Sequence, residues 1–286
     1  STLKKAGIPV VLRVGMSSIQ EAKRISPAGL AQRLWHRGRL ADLFIATDPQ
    51  AQRELLESGL ESSRVRLIPH GVRTEITVNA AARKLARIAL AGANVDLHAP
   101  EGATVGLFLG ELRRGNGLDT LITAWSFVVR RWPDARLWLV GDGSDRGRLF
   151  RHIQDLDLVG RVMMPGCFDA QKELLQAADL AVAPFGSAAA TPFVLTAMAA
   201  QLPLVAVDTE SIRTTVTPGE TGTLVPPDFP NIWADAIIKI IETPQSVAGM
   251  TGNARQMVSK YYSLPQMAKS HLEVFQELIS KMSARS

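Results

Sequence analysis

One cysteine in 286 residues, Cys167, cannot form a disulfide within the chain, and no Cys-x-x-Cys pair or close His–Cys grouping offers a zinc site. This fits a reducing, cytoplasmic setting. The five histidines, His36, His70, His98, His152 and His271, are scattered without metal-ligand spacing. Aromatic residues are scarce at 6%, so there is no platform on which bases could stack, and nucleic acid is not expected as a partner. No run approaches the roughly 18 apolar residues of a membrane helix, and the first residues, Ser1 to Gly7, lack the apolar core of a secretory signal. Ser187 lacks the glycines of a nucleophile elbow, which leaves a serine hydrolase unsupported.

What is present is a globular composition, 46% hydrophobic and 21% charged, enough for one or two domains. The net charge of +5 is uneven. Residues 1–100 carry 15 Lys and Arg against 8 Asp and Glu, while the remainder carries 17 against 19. The first part is therefore expected to face something anionic, a membrane surface or a phosphorylated substrate.

Short β-branched runs alternate with helical patterns, the signature of βαβ units around a parallel sheet. Strands are expected at Ile8 to Val14, Asp42 to Thr47 and Val65 to Pro69. Helices are expected at Pro27 to Leu40, capped by Ser26, and at Pro49 to Ser58. Residues 76–102 break this rhythm and read as a linker containing an Ala-rich helix, Ala80 to Ala91. A second series runs from a strand at Thr104 to Gly110 through a helix at Pro192 to Gln201, with Thr191 as its cap, to a late strand at Gly222 to Val225. Two helices close the chain, Asn231 to Glu242 and Pro265 to Lys281. The last carries an apolar stripe, Leu272, Val274, Phe275 and Leu278, that needs a partner. The reading is an α/β protein of two Rossmann-like domains: residues 1–75, the linker, residues 103–262, and a terminal helix, 263–286, returning to the first domain.

Five phrases stand in order along the chain: Ile68-Pro69-His70-Gly71-Val72; Gly110-Glu111-Leu112-Arg113-Arg114-Gly115-Asn116-Gly117-Leu118-Asp119; Pro133 to Gly143, which ends Val140-Gly141-Asp142-Gly143; Ala197-Met198-Ala199-Ala200 before Pro203; and Gly219-Glu220-Thr221-Gly222 leading to Pro226-Pro227. Together they resemble the retaining, nucleotide-sugar-dependent glycosyltransferases of GT-B fold, carbohydrate-active family 4. The resemblance implies a GT-B architecture whose first domain is incomplete, because the family carries a glycine-rich loop upstream of the strand matching Ile8 to Val14. It also implies a nucleotide diphosphate-sugar as donor substrate, no metal or other cofactor, and an acceptor that in many relatives is lipid-linked.

The ligand-facing positions depart from the family. Its diphosphate-clamping Arg and Lys correspond to Glu111 and Asn116, with Arg113 and Arg114 close enough to substitute. Its two glutamates, eight residues apart, correspond to Ala188 and Thr196. Its histidine after the early strand corresponds to Gly15, and its donor-side turn, which ends in a glutamate, to Glu210 to Thr214. Asp142 reads as a tight turn residue. No catalytic residue is assigned. The donor-binding set is Gly110, Arg113, Arg114, Asn116, Phe168, Thr191, Pro192 and Thr196, where the start of the helix at Pro192 offers backbone N–H groups to phosphate. Lys23 to Arg39 adds Arg33, Arg37, Leu34 and Trp35 in a pattern compatible with a basic helix on anionic lipid. Two functional readings follow, a transferase at the inner membrane face or a catalytically degenerate relative that serves as a binding or scaffolding subunit.

Overall fold

The computed structural model describes residues 8–15, 19 and 41–283. The expected helix at Pro27 to Leu40, its cap Ser26 and the basic segment with Trp35 lie outside the described residues. The strands are β1 (Val11–Val14), β2 (Leu43–Ala46), β3 (Val65–Leu67), β4 (Val105–Leu109), β5 (Arg136–Val140), β6 (Val162–Gly166), β7 (Leu180–Ala183), β8 (Leu204–Val207) and β9 (Thr223–Val225). The helices are α1 (Pro49–Glu57), α2 (Ala80–Ala93), α3 (Leu118–Arg131), α4 (Arg146–Asp155), α5 (Gln171–Ala177), α6 (Thr191–Ala199), α7 (Glu210–Arg213), α8 (Pro230–Glu242), α9 (Pro244–Tyr261) and α10 (Leu264–Ser283). They fall into two compact units, Ser1–Val72 with Lys260–Ser286, and Arg73–Ser259.

In the first unit three parallel strands lie in the order β1-β2-β3. The central strand, Leu43-Phe44-Ile45-Ala46, is buried along its whole length, which is why it reads as an unbroken apolar run rather than an alternation. Asp48 starts α1 by accepting from the Ala51 N–H at 2.8 Å, and Pro49 supplies a φ already suited to the first turn. Helix α10 covers the sheet: Val274 joins Leu43, Ile45 and Ile68 in one cluster, with Met267 and Leu278 packed against it. Arg66 reaches Glu277 at 3.3 Å, and the chain after β3 is sewn to the start of α10 by Val72 N–H to Tyr262 O (2.8 Å) and Leu264 N–H to Val72 O (3.1 Å).

The second unit is a six-stranded parallel sheet ordered β6-β5-β4-β7-β8-β9. Numbered from β4, this is the 3-2-1-4-5-6 order of the Rossmann fold, in which ligands bind beyond the strand C-termini where the order reverses, here between β4 and β7. Trp125 of α3 packs where Gly106 of β4 has no side chain; a Cβ there would lie 2.7 Å from the indole ring. Helix α2 is fastened to this unit. Arg87 donates to the carbonyls of Ala103 and Ala177, both at 3.0 Å, and pairs with Asp179 at 2.7 Å, while the same carboxylate accepts from Val105 N–H at 2.8 Å.

Two local readings are corrected. The 18-residue α9 has no counterpart among the helices expected from sequence: its buried residues Thr251, Ala254 and Val258 fall at helical spacing, but they are few and mostly small, and Gly249 and Gly252 lower the helical propensity of the segment. Thr191 does not cap α6. A 3₁₀ turn at Ala188–Ala190 makes Ala190 the cap residue, and Thr191 is the first helical residue with no side-chain cap above it.

Hydrogen exchange should be faster for residues 43–67 than for 105–207, since three strands protect fewer amides than six; equal protection would contradict this. Arg87→Leu should cost about 1.5 kcal/mol in urea unfolding, because it removes the hydrogen bonds to Asp179, Ala103 and Ala177 while Arg83 remains 3.3 Å from the Asp179 carboxylate.

Candidate functional site

Three loops leave the C-terminal ends of β4, β5 and β7 and pack backbone to backbone. Gly110 N–H donates to Val140 O at 3.1 Å, Leu112 N–H to Asp142 O at 2.9 Å, and Asp145 N–H to Leu112 O at 3.0 Å. Two glycines make this approach possible. Gly141 has φ 145°, and a Cβ on it would sit 1.9 Å from the Gly110 carbonyl oxygen; Gly117 has φ 68°, and its Cβ would meet Pro184 O at 2.5 Å. Beneath them, Phe108 makes edge contacts with Phe185 (5.6 Å) and Phe193 (6.4 Å), which ties the start of α6 to β4.

Beside this packed region a cavity of about 440 Å³ opens at the ends of β4, β5 and β6. Leu109, Gly110, Glu111, Asp142, Phe168 and Gln171 are among the residues that line it. Gly110 and Phe168, both named from sequence, are thus brought to the same cavity. The remaining sequence-named residues are elsewhere engaged or exposed. Asn116 is buried, and its side-chain amide donates to Glu111 O at 2.9 Å, bracing its own loop. Thr196 is also buried, with Oγ1 donating to Pro192 O at 2.6 Å inside α6. Thr191 and Pro192 open α6, whose first turn has no side-chain cap. Arg113 and Arg114 are exposed on the β4–α3 loop, where Arg113 Nε lies 3.9 Å from Glu111.

Sequence reasoning passed over Asp142, Asp169, Cys167 and Gln171, which also line the cavity. Asp142 does hold the tight turn, since Oδ1 accepts from Gly143 N–H at 2.8 Å. Its position between two glycines was the available signal that it stands at a strand end. The others follow β6, whose polar neighbours carry no motif. The counterpart of the donor-side turn, Glu210 to Thr214, contains the short helix α7, started by Thr209, whose Oγ1 also donates to Gly186 O at 3.2 Å. Arg213 there binds Asp208 at 2.5 and 2.7 Å, which holds that carboxyl below its ordinary range.

Arg148 sets the electrostatics behind the loops. From α4 it grips Asp145 at the end of the β5 loop and Asp119 in the first turn of α3, with Nη2 at 2.7 Å from Asp119. Hydrogen bonding to this guanidinium lowers both carboxyl pKa values, and the arginine's own is raised. Among the described residues no group of three or more His, Cys, Asp or Glu is arranged to hold a metal ion, and no helix is long and apolar enough to cross a membrane.

Residues 103–243 match the family described as glycosyl transferases group 1. Among curated proteins, the chain is 34% identical over 171 residues to a phosphatidyl-myo-inositol mannosyltransferase of Mycolicibacterium smegmatis, a match covering 58% of this chain and 43% of that protein. It is 25% identical over 292 residues to a D-inositol 3-phosphate glycosyltransferase of Kineococcus radiotolerans, covering 95% of this chain and 65% of the relative. The chain spans about half the length of the curated relatives it matches. Among solved structures, Anabaena Alr3699/HepE in complex with UDP superposes with a TM-score of 0.77 at 22% identity, covering 96% of this chain and 74% of that one. The architecture is therefore of GT-B type, two Rossmann-like α/β units with parallel sheets, and the chain is related to group 1 glycosyltransferases through its second unit.

Because Asp119 and Asp145 have lowered folded pKa values, the unfolded chain binds more protons than the folded one as pH falls through them. Their contribution is present above the unfolded carboxyl value, near pH 4, and is lost below it. Arg148→Met should cost about 2 kcal/mol at pH 7 and flatten the decline in stability between roughly pH 5 and 2, measured by urea unfolding at a series of pH values. An unchanged pH profile would contradict this.

Proposed function

We propose that this chain carries the donor-binding unit of a retaining glycosyltransferase that moves a hexosyl group from a nucleotide diphosphate-sugar to an acceptor, lipid-linked acceptors included. The observation that carries this reading is the cavity at the ends of β4, β5 and β6, next to the strand-order reversal of a unit matching group 1 glycosyltransferases. The donor is a substrate; no cofactor enters the reading. The nucleoside half would lie between Gly110 and Phe168, and the diphosphate would turn toward the uncapped first turn of α6 at Thr191 and Pro192, where backbone N–H groups favour an anion. Charge develops on the diphosphate as the glycosidic bond breaks, so cations there stabilise the transition state. Arg113 and Arg114 are the nearest candidates along the loop, with planar donor forks suited to phosphate.

A second reading, a catalytically reduced relative that binds or scaffolds, is favoured by the lining itself. Glu111 and Asp142 present carboxylates to the cavity, Arg113 is the partner of Glu111, and the polar groups of Asn116 and Thr196 are used within the protein. We place the protein in the cytoplasm, at the inner face of an anionic membrane, on the strength of the basic excess in residues 1–100. Nucleic acid plays no part in either reading.

Calorimetric titration with UDP, GDP and ADP should give millimolar affinity, since each missing charge-assisted contact weakens binding by about tenfold or more. The Arg113→Ala, Arg114→Ala double variant should abolish it, and Glu111→Gln should tighten it. Micromolar binding in the parent chain would exclude the reduced relative, and no binding of any nucleotide would exclude the donor site.

A further inference from the structure

The ligand edge of the first unit carries an arrangement that the donor site leaves unexplained. Arg13, the third residue of β1, is exposed, and its Nη2 lies 3.1 Å from Nδ1 of His70, three residues beyond β3. A guanidinium has no lone pair to offer, so Nδ1 must be the acceptor, and the neutral ring then carries its proton on Nε2. The contact spends one of five guanidinium N–H groups and none of its charge. Among the described residues no carboxylate pairs with Arg13. Burial, then the positive charge of Arg13, push the His70 pKa down, against a smaller opposing pull from Asp48. Asp48 itself is occupied in holding α1, accepting from Ala51 N–H at 2.8 Å and from the Thr47 hydroxyl at 3.2 Å. The imidazole is thus held as an oriented, uncharged donor beside a guanidinium that, among the described residues, no carboxylate pairs with.

We propose that Arg13 and His70 form a binding site for a phosphate oxyanion: the guanidinium supplies the charge, and the imidazole, its Nδ1 tied to Arg13, presents the Nε2 proton. Both groups lie toward the C-terminal end of a parallel sheet, the edge at which α/β units bind ligands. Assigning the phosphate to an acceptor rests on the transfer reading above; the binding of phosphate does not.

The test is a titration of the full chain with inorganic phosphate, following the His70 Cε1–H resonance, identified by its loss in His70→Asn. A saturating shift with millimolar affinity is expected, weakened at least about tenfold by Arg13→Gln, which removes the charge-assisted contact. Arg13 is exposed, so Arg13→Gln should keep the parent's melting temperature and report binding alone. No shift on adding phosphate, or equal affinity in Arg13→Gln, overturns the proposal. A parallel sedimentation with phosphatidylcholine vesicles, with and without 20% phosphatidic acid (about a fivefold dilution of the anionic lipid, enough to show charge-dependent attraction), distinguishes the sources. Arg13-dependent binding to the acidic vesicles identifies a lipid phosphate, and phosphate binding without vesicle binding identifies a soluble phosphomonoester. If UDP, GDP and ADP all fail to bind while phosphate shifts His70, the donor reading falls and this site stands; nucleotide binding without a phosphate-induced shift removes this site and leaves the donor reading in place.

Discussion

Close backbone packing among the loops at the C-terminal edge of the six-stranded sheet is the constraint on which the second unit's architecture depends. The Gly110 carbonyl and Gly141 approach so closely that no side chain fits between them, and Leu112 both donates to Asp142 and accepts from Asp145. Substituting Gly141 would push apart the ends of β4 and β5, and a side chain on Gly110 would press on the Phe108 and Phe185 rings; both glycines line the cavity. Positive φ at Gly117 and Gly141 adds a second reason for glycine, since an L side chain is strained there whatever the space around it. The cavity exists because these loops are compact enough to leave room beside them.

Charge is arranged on two levels around that edge. Behind the loops, Arg148 neutralises Asp119 and Asp145, so two helices and a loop are fixed by one guanidinium. In front, Glu111 and Asp142 face the cavity, and the nearby Arg113 is loosely shared with Glu111. A diphosphate entering there meets carboxylates as well as arginines. In the first unit the balance is opposite: Arg13 leans on a neutral imidazole and keeps its charge.

The relationship to group 1 glycosyltransferases is compatible with the departures expected from sequence at the ligand-facing positions. Residues that build the scaffold, such as Gly110, Gly141, Gly143 and Gly222, are tied to backbone or core contacts that leave no room for a side chain. Positions that touch ligand carry no such obligation, and substitution there need not disturb the sheet. Thr196 illustrates this: its hydroxyl satisfies a carbonyl of its own helix and leaves α6 intact without reaching outward.

The elements are legible in the sequence wherever local chemistry and burial agree. Asp48 before Pro49, and the apolar run of Leu43 to Ala46, announce a capped helix and a central strand because both patterns are written within a few residues. Helix α9 is hard to read because the few side chains it buries are mostly small and two glycines interrupt it, and Thr191 reads as a cap because the 3₁₀ turn before it leaves no local signature. Sequence by itself determined the alternation of strands and helices, the glycine-rich loop phrases and the basic excess of residues 1–100. Tertiary structure alone decided that Asn116 turns inward to brace a loop, that Phe168 and Gly110 line one cavity, and that Arg13 meets His70 across 57 positions of sequence. The physical reason is that side-chain partners at a sheet edge are set by strand order and register, which bring distant segments together, and neither is encoded in the spacing of residues along a single strand.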